Sequence, residues 1–269
     1  MRPLAVLAWV LIPAVLGNGA LRAEDSRMTT MRFVIVKSRA AEAPQAKPYA
    51  AVAVKPPLAL SDASLDAFRA KLAAVAKRRV YAELAELVTP QGFFWDRDFA
   101  GEFAGRLSSV DNLAAALRLE QHDGSGWNTL AAFADEPTAA PLVGRPGIVC
   151  TPGEPSLDNL AFDRLLDATA SEARNWAYPH AENTPVRASP ETNAPVVDRL
   201  ELALVRVLDR SPGWGKADDV GTGWTRVATP AGRVGFVAPG ALRPLSPERL
   251  CYGRDVFGRW RIAGYIGTE

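Results

Sequence analysis

The sequence predicts an α+β protein: a mainly α-helical N-terminal domain, then a small β-barrel, then a C-terminal β-hairpin. Three observations carry this expectation. From Leu65 onward apolar residues recur at three- and four-residue spacing, the mark of helices that bury one face. Between residues 223 and 238 two β-rich runs flank Pro230-Ala231-Gly232, the pattern of a tight hairpin. Between 258 and 266 the run Gly-Arg-Trp-Arg-Ile-Ala-Gly-Tyr-Ile follows a Val-Phe-Gly turn and reads as a second hairpin.

The chain opens Met1-Arg2-Pro3, runs apolar over 4–16, and passes through small residues to Glu24-Asp25. That order predicts a secretory signal peptide over 1–23, cleaved after Ala23. Its apolar core of roughly 13 residues is short for a bilayer span, which takes about 20. No stable membrane insertion is therefore expected after cleavage, and the expected location is periplasmic or secreted. The chain holds 31 basic and 30 acidic side chains; Arg2 and Arg22 leave with the leader, so 29 basic face 30 acidic. Such a balance gives no whole-protein attraction for nucleic acid, which is excluded as a partner.

Residues 24–60 read as an extended arm or linker, with 32–37 as a short strand and an Ala/Pro/Lys stretch after it. Residues 61–180 form the helical domain. Ser61, Asp62 and Ser64 are N-cap candidates for a helix whose buried face is Leu65, Phe68, Leu72, Val75 and Ala76. Lys77-Arg78-Arg79 marks a solvated bend, after which Tyr81, Leu84, Leu87 and Val88 resume the pattern. Residues 108–119 predict a helix capped near Ser109 or Asp111, residues 127–134 a shorter one that Pro137 stops. A Pro/Gly-rich stretch over 139–155 carries a brief strand at 147–150. Residues 156–170 form the last helix, with Leu157, Leu160, Leu165 and Leu166 buried.

Residues 181–246 form the barrel domain. In its hairpin Val234, Phe236 and Ala238 share one face, and Gly235 and Val237 the other. A glycine inside a strand predicts close approach of another backbone or a ring at Gly235. Residues 247–269 form the C-terminal hairpin, with Trp260, Ile262 and Tyr265 inward. It either extends the barrel's sheet or lies back on the helices, and a bond through Cys251 favours the helices. Cys150 and Cys251 are the two cysteines, and an even pair in an exported protein predicts one disulfide. Closing a loop of about 100 residues is worth ~4–5 kcal/mol in the chain-entropy model.

Several pieces in the C-terminal third stand in the order of a bacterial SH3-like domain. Val186-Arg187-Ala188-Ser189-Pro190 resembles its opening, Val205-Arg206-Val207-Leu208 its middle strand, and Trp224-Thr225-Arg226-Val227 with Gly235-Phe236-Val237 its last hairpin. Ala241-Leu242 matches the closing position. Two departures stand out: residues 199–204 lack the usual glycine, and 211–221 are longer and richer in glycine. The whole order is similar to exported proteins of proteobacteria that join such a domain to a helical region. The helical region's stretches stand here at Phe93-Phe94-Trp95 and Asp111-Asn112-Leu113-Ala114-Ala115-Ala116.

The resemblance implies an SH3-like barrel over 181–246 and a shallow aromatic face that holds cell-wall peptide, peptidoglycan or an envelope protein. Trp214, Trp224 and Phe236 are its expected ring platforms, and Arg187 its expected carboxylate partner.

Catalytic patterns are weak. Cys150 sits in a Pro/Gly turn and Cys251 in a strand, which leaves a Cys–His dyad with His122 or His180 without support. No His-Glu-x-x-His, Cys-x-x-Cys, Gly-x-Ser-x-Gly or phosphate-loop pattern occurs, so neither metal nor cofactor is expected. Trp95, Asp96, Asp98 and Glu102 stand among further rings over 91–103, a composition that suits a sugar or amine cleft. Core packing explains the rings equally simply. The chain thus reads as a non-catalytic exported binding protein of the bacterial cell envelope. The alternative is an envelope (peptidoglycan) hydrolase using the carboxylates of that cluster.

Overall fold

Asp62 starts the first helix, accepting the Ser64 and Leu65 N–H groups at 2.9 and 3.0 Å, and α1 runs Ala63–Arg78. Arg79 ends it in the left-handed region (φ 57°), where the basic triplet predicts a bend. A short α2 (Tyr81–Ala85) follows. Helix α3 (Ser109–Leu117) begins at Ser108, whose hydroxyl accepts the Asp111 N–H while Asp111 bonds back to Ser108. Helix α4 is Ser125–Asp135 and α5 is Asn159–Thr169. The computed structural model that shows this describes residues 45–96, 105–209 and 223–267. The expected signal peptide, the arm before Gln45, and Asp98, Glu102 and Trp214 lie outside the described residues.

Fourteen strands accompany these helices among the described residues: β1 (Val54–Lys55), β2 (Phe94–Asp96), β3 (Ala140–Pro141), β4 (Val149–Thr151), β5 (Ser156–Leu157), β6 (Trp176–Pro179), β7 (Thr184–Arg187), β8 (Val196–Leu200), β9 (Val205–Asp209), β10 (Thr225–Ala228), β11 (Val234–Val237), β12 (Leu242–Pro244), β13 (Arg249–Arg254) and β14 (Trp260–Ile266). They form a two-stranded pair β1-β5, a five-stranded sheet β2-β14-β13-β4-β3 and a seven-stranded sheet β12-β6-β9-β10-β11-β7-β8.

The five-stranded sheet carries the helices. Leu65, Leu72, Leu113, Leu130 and Phe133 from α1, α3 and α4 meet Trp95, Leu250, Tyr252, Ile262 and Tyr265 in one core. Ring edges complete it, Phe68 on Tyr252 and Phe133 on Tyr265. The C-terminal hairpin β13-β14 therefore lies back on the helices and adds nothing to the seven-stranded sheet. On the other face of the five strands Cys150 and Cys251 are bonded, side by side across β4 and β13. Phe94 packs beside them. In α5 only Leu165 is fully buried; Leu160, expected inside, is 60 % exposed.

The seven-stranded sheet corrects the barrel. Its pieces stand in the expected chain order, and one face of every strand contributes to a single cluster, including Val186, Leu200, Val207, Val227, Val237 and Leu242. Strands that share so compact a cluster must coil, but the sheet stays open: β8 and β12 are its two edges and do not pair with each other. The reason lies upstream of the motif. Strand β6 inserts between β9 and β12, taking Leu242, Arg243 and Pro244 opposite Pro179, Tyr178 and Ala177. The final strand is spent on β6, and the ring that an SH3-like fold requires is not closed. The SH3-like fold assignment, and the cell-wall peptide and peptidoglycan binding that rested on it, fall with that closure.

Gly235 meets its expectation: a Cβ there would stand 2.6 Å from the Arg187 carbonyl oxygen and 2.6 Å from the Val186 side chain. The extended arm is a strap from Gln45 on. Ala46 and Tyr49 donate their N–H groups to Gly232 and Pro230 at the β10-β11 turn, and Val54 donates to Leu202. Val52 and Val54 are buried with Trp176, Tyr178, Leu204 and Leu165 against the second face of the seven strands.

Candidate functional site

Among the described residues, strap and α5 lie over Trp176, Arg206 and Ala228 on that second face. On the neighbouring stretch of β7, β11, β10 and β9, Arg187, Phe236 and Arg226 are half-buried and Asp209 is exposed. Across it runs a row set by register: Arg187 stands opposite Phe236, Phe236 opposite Arg226, and Arg226 opposite Asp209. The opposite face of these strands holds Val186, Val227 and Val237 in the core, so alternation turns Arg187, Arg226 and Phe236 outward. Alternation carried one residue before the start of β10 puts the half-buried Trp224 on the same side.

Three expected binding residues, Arg187, Trp224 and Phe236, are thus brought to one face; Trp214 lies outside the described residues. The surprise is Arg226, which completes the row. Its position was readable from the period of two, since it stands at Trp224 plus two.

The electrostatics of the row leave it adaptable. The Arg187 guanidinium donates to the Ala194 carbonyl at 2.8 Å within the β7-β8 turn. Arg226 meets Asp209 at 3.3 Å, with side chains 40 % and 69 % exposed. An exposed pair of this kind is worth about 0–1 kcal/mol, so an incoming carboxylate can replace Asp209 at little cost. Phe236, half-buried between two guanidinium-bearing positions, offers an apolar surface flanked by cations.

No protein-family model matches the chain, and neither a curated protein nor a solved structure shows similarity to it.

The second cluster of the sequence is split by strand β2. Trp95 turns into the helical core, while Asp96, one residue on, faces the opposite side. There Asp96 meets Arg145 at 3.3 Å, and the same guanidinium lies 4.0 Å over the Phe94 ring. Trp95 and Asp96 therefore do not line a common cleft, and Asp98 and Glu102 lie outside the described residues. Cys150 and Cys251 are joined to each other, so neither holds a free thiol. His122 and His180 are both exposed, on separate turns. Among the described residues no group of three or more His, Cys, Asp or Glu side chains is gathered to hold a metal ion. Among the same residues no helix is long and apolar enough to cross a membrane.

Proposed function

We propose that the chain is a non-catalytic, exported binding protein that holds an envelope protein by an acid-bearing segment laid across the open face of the seven-stranded sheet. The observation that carries this reading is the register row Arg187–Phe236–Arg226, a ring between two cations on a face that no described element covers. Aromatic and arginine side chains are the groups that most often anchor protein segments. The neighbouring Trp224 adds a second ring to the same side. Export rests on the N-terminal sequence, with its basic start, short apolar run and small residues before Glu24.

Two measurements test the reading. Fluorescence anisotropy with a labelled Glu/Asp-Tyr peptide, and its Lys-substituted counterpart, reads the face directly. The acidic peptide binds and the basic one does not, and Phe236→Ala or Arg226→Ala each weakens binding by about 1–2 kcal/mol. Equal binding of both peptides, or unchanged affinity in the Phe236→Ala/Arg226→Ala double variant, overturns the assignment of this face. N-terminal sequencing of the protein recovered from producing cells tests export: the first residue is Glu24, and an intact Met1 on all of the protein overturns it.

A further inference from the structure

A partly open cavity of about 550 Å³ lies beside the row, bordered by the strap, α5 and the covered part of the same sheet face. Its size is within the ~300–1,000 Å³ typical of small-molecule sites. Three cations line it, Lys47 from the strap, Arg164 from α5 and Arg206 from β9, and among the described residues no carboxylate does. Among the described residues none of the three makes an ion pair or a side-chain hydrogen bond. Arg206 donates its backbone N–H to the Tyr49 phenol oxygen at 3.2 Å, and its charge acts on the same phenol.

The floor is apolar. Leu165 and Ala228 are buried there, and Leu208 is 38 % exposed on the lining. Leu208 owes its place to an irregularity in register. Arg226 faces Asp209, yet the next residue, Val227, faces Val207, so Leu208 is the extra residue of a β-bulge. Bulges turn a side chain out of its regular position and recur beside binding sites. An exposed leucine beneath three cations that have no carboxylate partner among the described residues is costly as a bare surface and complementary to one kind of molecule.

We propose that this cavity binds a small anionic amphipath, an organic carboxylate or phosphate ester with a short hydrocarbon body. Its head group meets Lys47, Arg164 and Arg206, and its body lies on Leu165, Leu208 and Ala228. The site is separate from the Arg187–Phe236–Arg226 row and does not depend on the function proposed for it.

Isothermal titration calorimetry of the full chain with decanoate and with decyl phosphate tests this, the two arms separating carboxylate from phosphate. Decanol and decyltrimethylammonium are controls with the same tail and no anion. One or both anions bind at one site per chain, and the controls do not. Arg164→Gln/Arg206→Gln weakens binding on the order of tenfold or more, the size expected when charge-assisted hydrogen bonds are lost. Leu208→Ser weakens both anions in parallel. Circular dichroism melting of each variant, compared with the parent, separates lost binding from lost folding, because Arg164 and Leu208 are exposed. No anion binding to the parent, equal binding of the controls, or unchanged affinity in the folded double variant overturns the proposal.

Discussion

Gly264 stands opposite Phe94 across the parallel pair β14-β2, and the Phe94 ring occupies the space that a side chain at 264 would need. The ring shields a glycine that also pairs with Cys251 on its other side. Gly264→Ala therefore forces either the ring or the strand aside. Overpacking of this kind costs about 1–3 kcal/mol. Phe94→Leu alone loses packing, but it makes room. The double variant Gly264→Ala/Phe94→Leu is expected to lose less stability than the two single losses added together. Urea denaturation of the four proteins reads the coupling, and strict additivity would show that the ring does not restrict residue 264.

The Cys150–Cys251 bond joins residues 101 apart in sequence, tying β4 in the middle of the chain to the C-terminal hairpin. Its main effect is expected on the unfolded chain, whose freedom it restricts. Cys150→Ala/Cys251→Ala is expected to lose ~4–5 kcal/mol by the loop-closure argument, a large part of a typical domain's 5–15. Urea midpoints of parent and variant give the loss. Two free thiols titrated in the denatured, unreduced parent would remove the premise.

A half-buried phenol adds to the backbone bonds that hold the strap. Tyr49 donates its hydroxyl to the Ala228 carbonyl at 2.8 Å and accepts the Arg206 N–H at 3.2 Å. Its ring edge also meets Trp176, with centroids 5.0 Å apart. Tyr49→Phe keeps the ring but leaves a buried backbone donor and acceptor unmet, at a cost of about 1–3 kcal/mol. Amide hydrogen exchange over 46–54 should speed up more than exchange in α1.

Burial pushes the Tyr49 phenol above its ordinary value of 10.0, although the Arg206 charge works against it. A raised phenol favours the folded state in its neutral form. That contribution is present below pH 10 and is lost as the pH climbs past it. Strap exchange in the parent is expected to rise in that alkaline range, and Tyr49→Phe to remove the rise.

The helices were legible because their signals are local. The spacing from Leu65 to Ala76 and the cap Asp62 lie within a few turns of what they control, while the cap of α3 is Ser108, one residue before the expected Ser109. The hairpin at Pro230-Ala231-Gly232 was legible for the same reason: Gly232 holds φ 78°, and its N–H closes the turn on Thr229. Closure of the sheet was not legible. It depends on which strand takes the place beside β9, and Trp176–Pro179 wins that place through contacts with the strap and α5. Nothing in the motif residues themselves encodes such a competitor.

The open face was half legible. Period two places Trp224 and Arg226 on one side, but the meeting of Arg187 with Phe236 needs the β7-β11 pairing, which only the folded sheet supplies. The cation-lined cavity was invisible, because Lys47, Arg164 and Arg206 come from three distant segments with no shared pattern.

Asp255 organises the tip of the β13-β14 hairpin. The carboxylate accepts the Phe257 and Arg259 N–H groups at 2.9 Å each and the Nε groups of Arg259 and Arg261 at 3.0 and 3.1 Å. Desolvation at the turn raises the carboxyl, but these hydrogen bonds and the Arg259 charge outweigh it and hold it at about 2, below the ordinary 3.8. A depressed carboxyl stabilises the folded hairpin above the ordinary value, and the stabilisation disappears as the pH falls from 3.8 toward 2. The tip depends on it, since Val256 and Phe257 are 94 % and 77 % exposed and contribute little packing. Carbon-detected NMR of the Asp255 carboxyl should give a midpoint near 2, and Asp255→Asn should flatten the acid dependence of the Phe257 amide shift. A midpoint at the ordinary value would mean that the four hydrogen bonds do not persist in solution, and the turn would then have to be held by Gly258 and the strand ladder alone.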